Sequence, residues 1–149
     1  CVKFTLWEKA NRVPFIIVAP GVTKAGTVID RPVSLLDLYP TLLDLCGLPK
    51  NPKNEGRSIA PLIRNPKTAW PYPAVITHSP HWLGPNHAVR SERFHYIHYG
   101  KGGEELYEVA KDPHQWHNLA NDPAHATTKA QLKQWLPKKN APHFLADKQ

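Results

Sequence analysis

Cys1-Val2-Lys3-Phe4-Thr5-Leu6-Trp7-Glu8-Lys9-Ala10-Asn11-Arg12-Val13-Pro14 runs directly into Phe15-Ile16-Ile17-Val18-Ala19-Pro20-Gly21. From Phe15 to Ala19 the second stretch is wholly apolar, and it closes on a Pro-Gly turn. A short apolar run between breakers reads as a strand buried on both faces, as at the centre of a parallel sheet. The first stretch is polar and carries Lys3, Thr5, Glu8 and Arg12. A polar segment joined to a core strand is pinned by it, and segments held by a rigid scaffold are where catalytic groups tend to sit. Alone, Lys3 would be one of many solvated lysines. Its register with Thr5, Glu8, Arg12 and Pro14 sets it apart.

Outward from this head, residues 22–32 form a polar, glycine-containing connection with room for a short strand over 27–29. Leu38, Leu42 and Leu45 then fall at helical spacing, and Gly47 supplies a C-terminal stop. This predicts a helix over 38–46, with Pro40 tolerated in its first turn. Asp37 sits just before that helix and reads as a cap or dipole partner rather than a catalytic acid. Cys46 reads as a small core residue.

Residues 65–73 hold three prolines and mark a boundary, dividing the chain into 1–68 and 69–149. Beyond it the pattern alternates, with strands expected over 74–78, 87–91, 94–99 and 105–109. In the third, Phe94, Tyr96 and His98 fall on one face and His95, Ile97 and Tyr99 on the other. Gly100-Lys101-Gly102-Gly103 is a hairpin turn signal. Four such strands imply an antiparallel sheet. Residues 123–136 carry Ala126, Ala130, Leu132 and Trp135 on a helical repeat that could cover one of its faces.

Lys3-x-Thr5-x-x-Glu8-x-x-x-Arg12-x-Pro14, followed by the apolar run and Pro20-Gly21, resembles the sulfatase family, and within it bacterial iduronate-sulfatase-like enzymes. The segment from Asp37 to Leu42 and that from Gly56 to Leu62 extend the resemblance as scaffold. Glu105-Leu106-Tyr107-Glu108 through Asp112-Pro113 to Asn118-Leu119 is similar to the family's C-terminal motif, with Glu108 and Gln115 in place of its usual aspartate and glutamate. The resemblance implies the C-terminal part of an alkaline-phosphatase-like α/β fold, ending in a small four-stranded antiparallel sheet packed by a C-terminal helix. Residues 1–68 would then close the catalytic domain and 69–149 form the C-terminal subdomain. It also implies that Lys3 contacts the sulfate group, since an ammonium aimed at a sulfonyl oxygen stabilises charge on the group transferred. The family uses calcium and a formylglycine made from the cysteine of a Cys-x-Pro-Ser-Arg motif. That motif and the calcium-binding aspartates are absent from this sequence, so no metal ligand is assigned.

Without methionine, and opening on Cys1 inside a motif, the chain reads as a fragment that lacks the N-terminal catalytic portion and is inactive alone. Nineteen basic against twelve acidic residues give a net charge of +7, which suits an anionic sulfated saccharide through steering. The basic residues gather in the tail, at Lys129, Lys133, Lys138, Lys139 and Lys148, without the clustered face or motif that nucleic-acid binding needs. No apolar run approaches the length of a membrane span. The resemblance points to a periplasmic or secreted compartment. His95, His98, His114, His117, His125 and His143 lack zinc-like spacing and read as structural. His81, Trp82 and His87 differ, because they lie in or beside the Pro/Gly-rich loop 79–86 and could stack on and hydrogen-bond a sugar ring; a loop that merely packs is the bland alternative. The function expected is hydrolysis of a sulfate ester of a sulfated sugar. The alternatives are a phosphoesterase of the same superfamily and a non-catalytic carbohydrate-binding or interaction domain.

Overall fold

The computed structural model describes residues 5–79 and 84–140. They cluster into two units: Pro14–Ala74, and a second that joins Cys1–Val13 to Val75–Gln149. The head of the chain therefore groups with the C-terminal half, whereas a division at residue 68 keeps it with the residues that directly follow it.

In the first unit, residues 15–19 form no strand, and among the described residues nothing pairs with them. Within this chain the run is packed on one face only. Phe15 and Ile17 pack on a core of Ile59, Leu62 and Ile63, together with Ile29, Val33, Leu45 and Trp70. Ile16 and Val18 point the other way and are 84% and 82% exposed. An extended segment needs a neighbouring strand to satisfy its backbone and cover its second face, and no such neighbour lies among the described residues. Residues 27–29 likewise form no strand.

Helices α1 (Glu8–Asn11), α2 (Leu38–Leu45), α3 (Ala60–Arg64) and α4 (Ala126–Lys133) follow in chain order, with α2 and α3 in this first unit. Helix α2 is preceded by a 3₁₀ turn, Leu35–Asp37, which opens on a capping box. The Asp37 carboxylate accepts from Ser34 N at 2.9 Å and from Arg57 N at 2.7 Å. Asp37 is therefore the structural partner that its position suggested. It also ties the helix start to the passing segment 55–57. A Cβ at Gly56 would lie 1.9 Å from the Leu36 carbonyl oxygen, so only glycine lets that segment pass so closely. Thr41 completes the join: its fully buried hydroxyl donates to Asp37 O and accepts from Ile59 N. Cys46, expected in the core, is exposed just beyond the end of α2, because the chain turns there at Gly47 before regaining the core.

Asp37→Ala removes an acceptor shared by two backbone amides. An unpaired buried amide costs about 1–3 kcal/mol. The substitution is expected to destabilise the chain by about 2 kcal/mol in urea unfolding, with Asp37→Asn recovering part of the loss.

The second unit is built on a sheet of β1 (Ala74–His78), β2 (Asn86–Arg90), β3 (Phe94–His98) and β4 (Glu104–Glu108), in that spatial order. Strands β2, β3 and β4 run antiparallel, with Val89 opposite Tyr96 and Tyr96 opposite Leu106. Side chains alternate across the strands, and the two faces differ in character. One holds Val89, Phe94, Tyr96 and Leu106, packed by Ala120, Leu132 and Leu136. The other holds Ala88, Ile97 and Tyr107, covered by Leu6 from the head of the chain.

Helix α4 covers the first face more thinly than its apolar repeat suggests. Leu132 is buried, while Ala126, Ala130 and Trp135 are exposed. Ion pairs supply part of the attachment: Lys129 and Lys133 reach Glu104 at 2.9 and 2.5 Å. Burial opposes ionisation of Glu104, but hydrogen bonds from Lys133, Tyr96 and Lys129 outweigh it and hold the pKa down at about 2. Asn118 locks the following loop, accepting from Leu106 N and Ala120 N and donating to Glu104 O.

Candidate functional site

The head of the chain crosses the polar face of the sheet, and side chains at fixed heights along the strands hold it there. Leu6 is the apolar anchor. One residue on, Trp7 Nε1 donates to Glu105 Oε2 at 2.9 Å. Glu105 also accepts from the hydroxyls of Tyr99 and Tyr107, each at 2.9 Å. Burial first, and this carboxylate second, push both phenols above their ordinary pKa, so they remain donors.

Glu8 opens α1 and is held from two sides. Its carboxylate pairs with Arg90 at 2.8 Å, the two side chains being equally sheltered from solvent. Its backbone N–H donates to Gln115 Oε1 at 2.8 Å. That bond orients the Gln115 amide, whose nitrogen then faces His95 Nδ1 at 2.6 Å. The neutral imidazole therefore accepts at Nδ1 and carries its proton on Nε2, which is buried without a hydrogen-bond partner. Desolvation lowers the His95 pKa to about 4, with Glu8 opposing the shift and Arg90 assisting it. Gln115 holds this position at φ 58°, a left-handed conformation uncommon for a residue with a side chain. Asn11 closes the turn of the head by donating to Thr5 O and Trp7 O.

Beside this clamp lies a cavity of about 320 Å³. Thr5, Leu6 and Trp7 form its wall on the side of the head. His78 and Asn86 line it from the end of β1 and the start of β2, and Tyr99, Lys101 and Gly102 from the β3–β4 hairpin. The volume is at the small end of the range for ligand sites and suits about one sugar ring. Aromatic and apolar groups with a few polar ones around them are what a pyranose needs, since it presents both C–H faces and hydroxyl edges. Among the described residues no three of His, Cys, Asp and Glu come together to hold a metal. The cavity's lining holds no carboxylate and does not fit a calcium ion.

Of the site residues read from sequence, Lys3, His81 and Trp82 lie outside the described residues. His87 is described, 4% exposed, with Nδ1 bonded to Thr77 Oγ1 at 2.9 Å. Both belong to the face that carries Val75 and Val89, which α4 covers. Strand parity gives the cavity wall to Asn86 instead. Sequence reasoning also missed Tyr99 and Lys101, although the glycines around Lys101 marked the turn that carries it, and it treated His95 and Gln115 as merely structural.

Residues 2–141 match the family described as N-sulphoglucosamine sulphohydrolase, C-terminal. A sulfatase of Formosa agariphila is 37% identical over 139 residues, covering 93% of this chain and 26% of that protein. A delta 4,5-hexuronate-2-O-sulfatase of Bacteroides thetaiotaomicron is 36% identical over 139 residues, covering 89% of this chain and 29% of that relative. Among solved structures, a 2-O GAG sulfatase superposes with a TM-score of 0.61 at 34% identity, over 77% of this chain and 26% of the other. The chain thus spans about a quarter of the length of the relatives it matches. The fold is the C-terminal part of the alkaline-phosphatase-like architecture, with the expected four-stranded antiparallel sheet and its helix.

Proposed function

Because the chain belongs to the N-sulphoglucosamine sulphohydrolase C-terminal family of sulfatases, we propose that it is part of an enzyme hydrolysing a sulfate ester on a sulfated hexuronate sugar. The observation that carries this reading is the cavity that opens beside Thr5, two residues past Lys3. Lys3 would place its ammonium against the sulfonyl oxygens, stabilising the negative charge that builds as the ester bond breaks. Trp7 and Tyr99 would flank the sugar ring. His81 and Trp82 would approach it from the loop whose flanks, His78 and Asn86, line the cavity. The clamp of Glu8, Arg90, His95 and Gln115 would hold the Lys3 segment at its working height.

The family's formylglycine would supply the nucleophile, and its calcium the metal, from sequence outside this chain. The exposed face of Ile16 and Val18 is where the rest of the catalytic domain would add its strands. On this reading residues 14–74 close the catalytic domain.

The test compares sulfate release by the full-length enzyme and by these 149 residues alone, on a 2-O-sulfated hexuronate disaccharide. The full-length enzyme is expected to turn over and the isolated chain to show nothing, since it has no activated nucleophile. Turnover by the isolated chain, or a full-length enzyme that cleaves only phosphate esters, would overturn the proposal.

A further inference from the structure

We infer that His95 and Gln115 form a proton-operated latch on the head of the chain. A neutral imidazole holds the wall of Thr5, Leu6 and Trp7 at the cavity, and a protonated one frees it. The inference adds regulation to the sulfatase reading above and rests on that reading only for its effect on turnover.

The latch follows from the two unlike ends of one amide. The Glu8 backbone N–H can only donate, so the end of Gln115 that meets it at 2.8 Å is the oxygen. The other end, 2.6 Å from His95 Nδ1, is then the NH2 group, and Nδ1 must accept. The ring has no second anchor, because its Nε2 is buried without a hydrogen-bond partner. A proton on Nδ1 sets two donors against each other. Turning the Gln115 amide over satisfies the imidazolium but sets the NH2 group against Glu8 N–H. The other acceptor beside Nδ1 is Glu8 Oε2 at 3.9 Å, which Arg90 holds at 2.8 Å. Each of these acceptors is a tether of the head, so the charged ring undoes a tether whichever it takes.

The loop that carries the latch is fixed in advance. Gln115 is buried at φ 58°, its N–H donates to Asp112 O at 3.1 Å, and the Asp112 carboxylate accepts from His117 N at 2.8 Å. A side chain kept in the left-handed region persists only where its surroundings over-determine it.

The groups around the ring set its preference. Glu8 on α1 and Glu105 on β4 favour the cation, and Arg90 on β2 opposes it. Tyr107, opposite His95 on β4, stays a neutral phenol, and the loop after β4 presents the uncharged Gln115. Burial outweighs the carboxylates and lowers the pKa to about 4. Release of the latch returns the ring towards its ordinary 6.5, so between these values opening takes up one proton. The closed form is therefore favoured fully above about pH 6.5, and opening becomes about tenfold more frequent for each pH unit lost below it.

The experiment measures hydrogen exchange of the head in the full-length enzyme, from overlapping peptides across residues 5–12 between pH 7 and 5, with the intrinsic effect of pH on each rate removed. In the wild type, opening at the Glu8 amide is expected to rise about tenfold per pH unit. Gln115→Glu offers an oxygen to both Glu8 N–H and the charged ring, so its head should stay protected throughout. His95→Gln cannot titrate and should show no slope. In turnover of a 2-O-sulfated hexuronate disaccharide, acid should lower kcat about tenfold further in the wild type than in Gln115→Glu, with KM little changed, as loss of one positioning hydrogen bond implies. Parallel acid slopes of exchange in all three proteins, or a wild-type head whose exchange ignores pH, overturn the latch. The expected exchange with identical kcat profiles in wild type and Gln115→Glu overturns its control of the site. An enzyme that releases no sulfate, with the slope present in the wild type and lost in Gln115→Glu, overturns the sulfatase reading and leaves the latch standing.

Discussion

Lys3→Ala in the full-length enzyme is expected to lower kcat about a hundredfold with little change in KM. On the proposed reading the ammonium meets the sulfate most strongly as charge shifts onto the departing group, and an interaction made in the transition state appears in turnover rather than in binding. Removing one such electrostatic contact typically costs about 3 kcal/mol, on the order of a hundredfold in rate. Lys3→Arg should rescue poorly, since a planar guanidinium does not present the same compact charge. Lys9→Ala, exposed on α1 and outside the motif, is the control and should be nearly silent. Steady-state kinetics on a sulfated uronide, with circular dichroism to establish that each variant is folded, decide the matter. Equal turnover by the Lys3 and Lys9 variants would remove Lys3 from the site.

Acid should weaken the second unit through His95 well before its carboxylates protonate. The imidazole is fully buried and neutral, with a folded pKa of about 4 against an ordinary value of 6.5. The sign follows from proton counting. Between these two values the unfolded chain binds a proton that the folded chain refuses, so the stability is fully present above about pH 6.5 and is lost as pH falls towards 4. At about 1.4 kcal/mol per unit, the loss comes to about 3 kcal/mol. The groups facing the ring account for the direction. Desolvation dominates, Glu8 on α1 and Glu105 on β4 favour the cation, and Arg90 on β2 opposes it. His87 is also depressed by burial and adds in the same sense. Glu104, held at about 2, loses its contribution only below its ordinary value of 4.5, which leaves the upper window to the histidines. Urea unfolding of the chain from pH 7 to 4.5 should show this slope, and His95→Gln should flatten it. Matching slopes in wild type and variant would mean that the ring titrates freely and the clamp is loose.

Local rules account for much of the second unit. The period-2 alternation over 94–99, the glycines at 100, 102 and 103, and the turn chemistry of Asp112 and Asn118 each depend on neighbours in sequence. They are legible without coordinates. So is the capping of α2 by Asp37, since a cap is satisfied within a few residues. The family was legible too, through the register from Lys3 to Pro14 and the motif after Glu105.

Three things were decided only by the tertiary structure. Whether residues 15–19 become a two-sided strand depends on neighbours that no local pattern supplies, and here only Phe15 and Ile17 find a core. That the head of the chain joins the C-terminal sheet rests on Leu6 finding Ala88, Ile97 and Tyr107, and on Glu8 finding Arg90 and Gln115, more than eighty residues away. Which residue at the start of β2 faces the cavity is a matter of strand parity. A shift of one position turns His87 towards α4 and gives Asn86 the wall, and the turn carrying Lys101 is then pinned against that same asparagine. Composition and spacing select the kinds of side chain that can serve a site. Their meeting depends on which face each one takes and on what packs over it, and these are long-range properties of the folded chain.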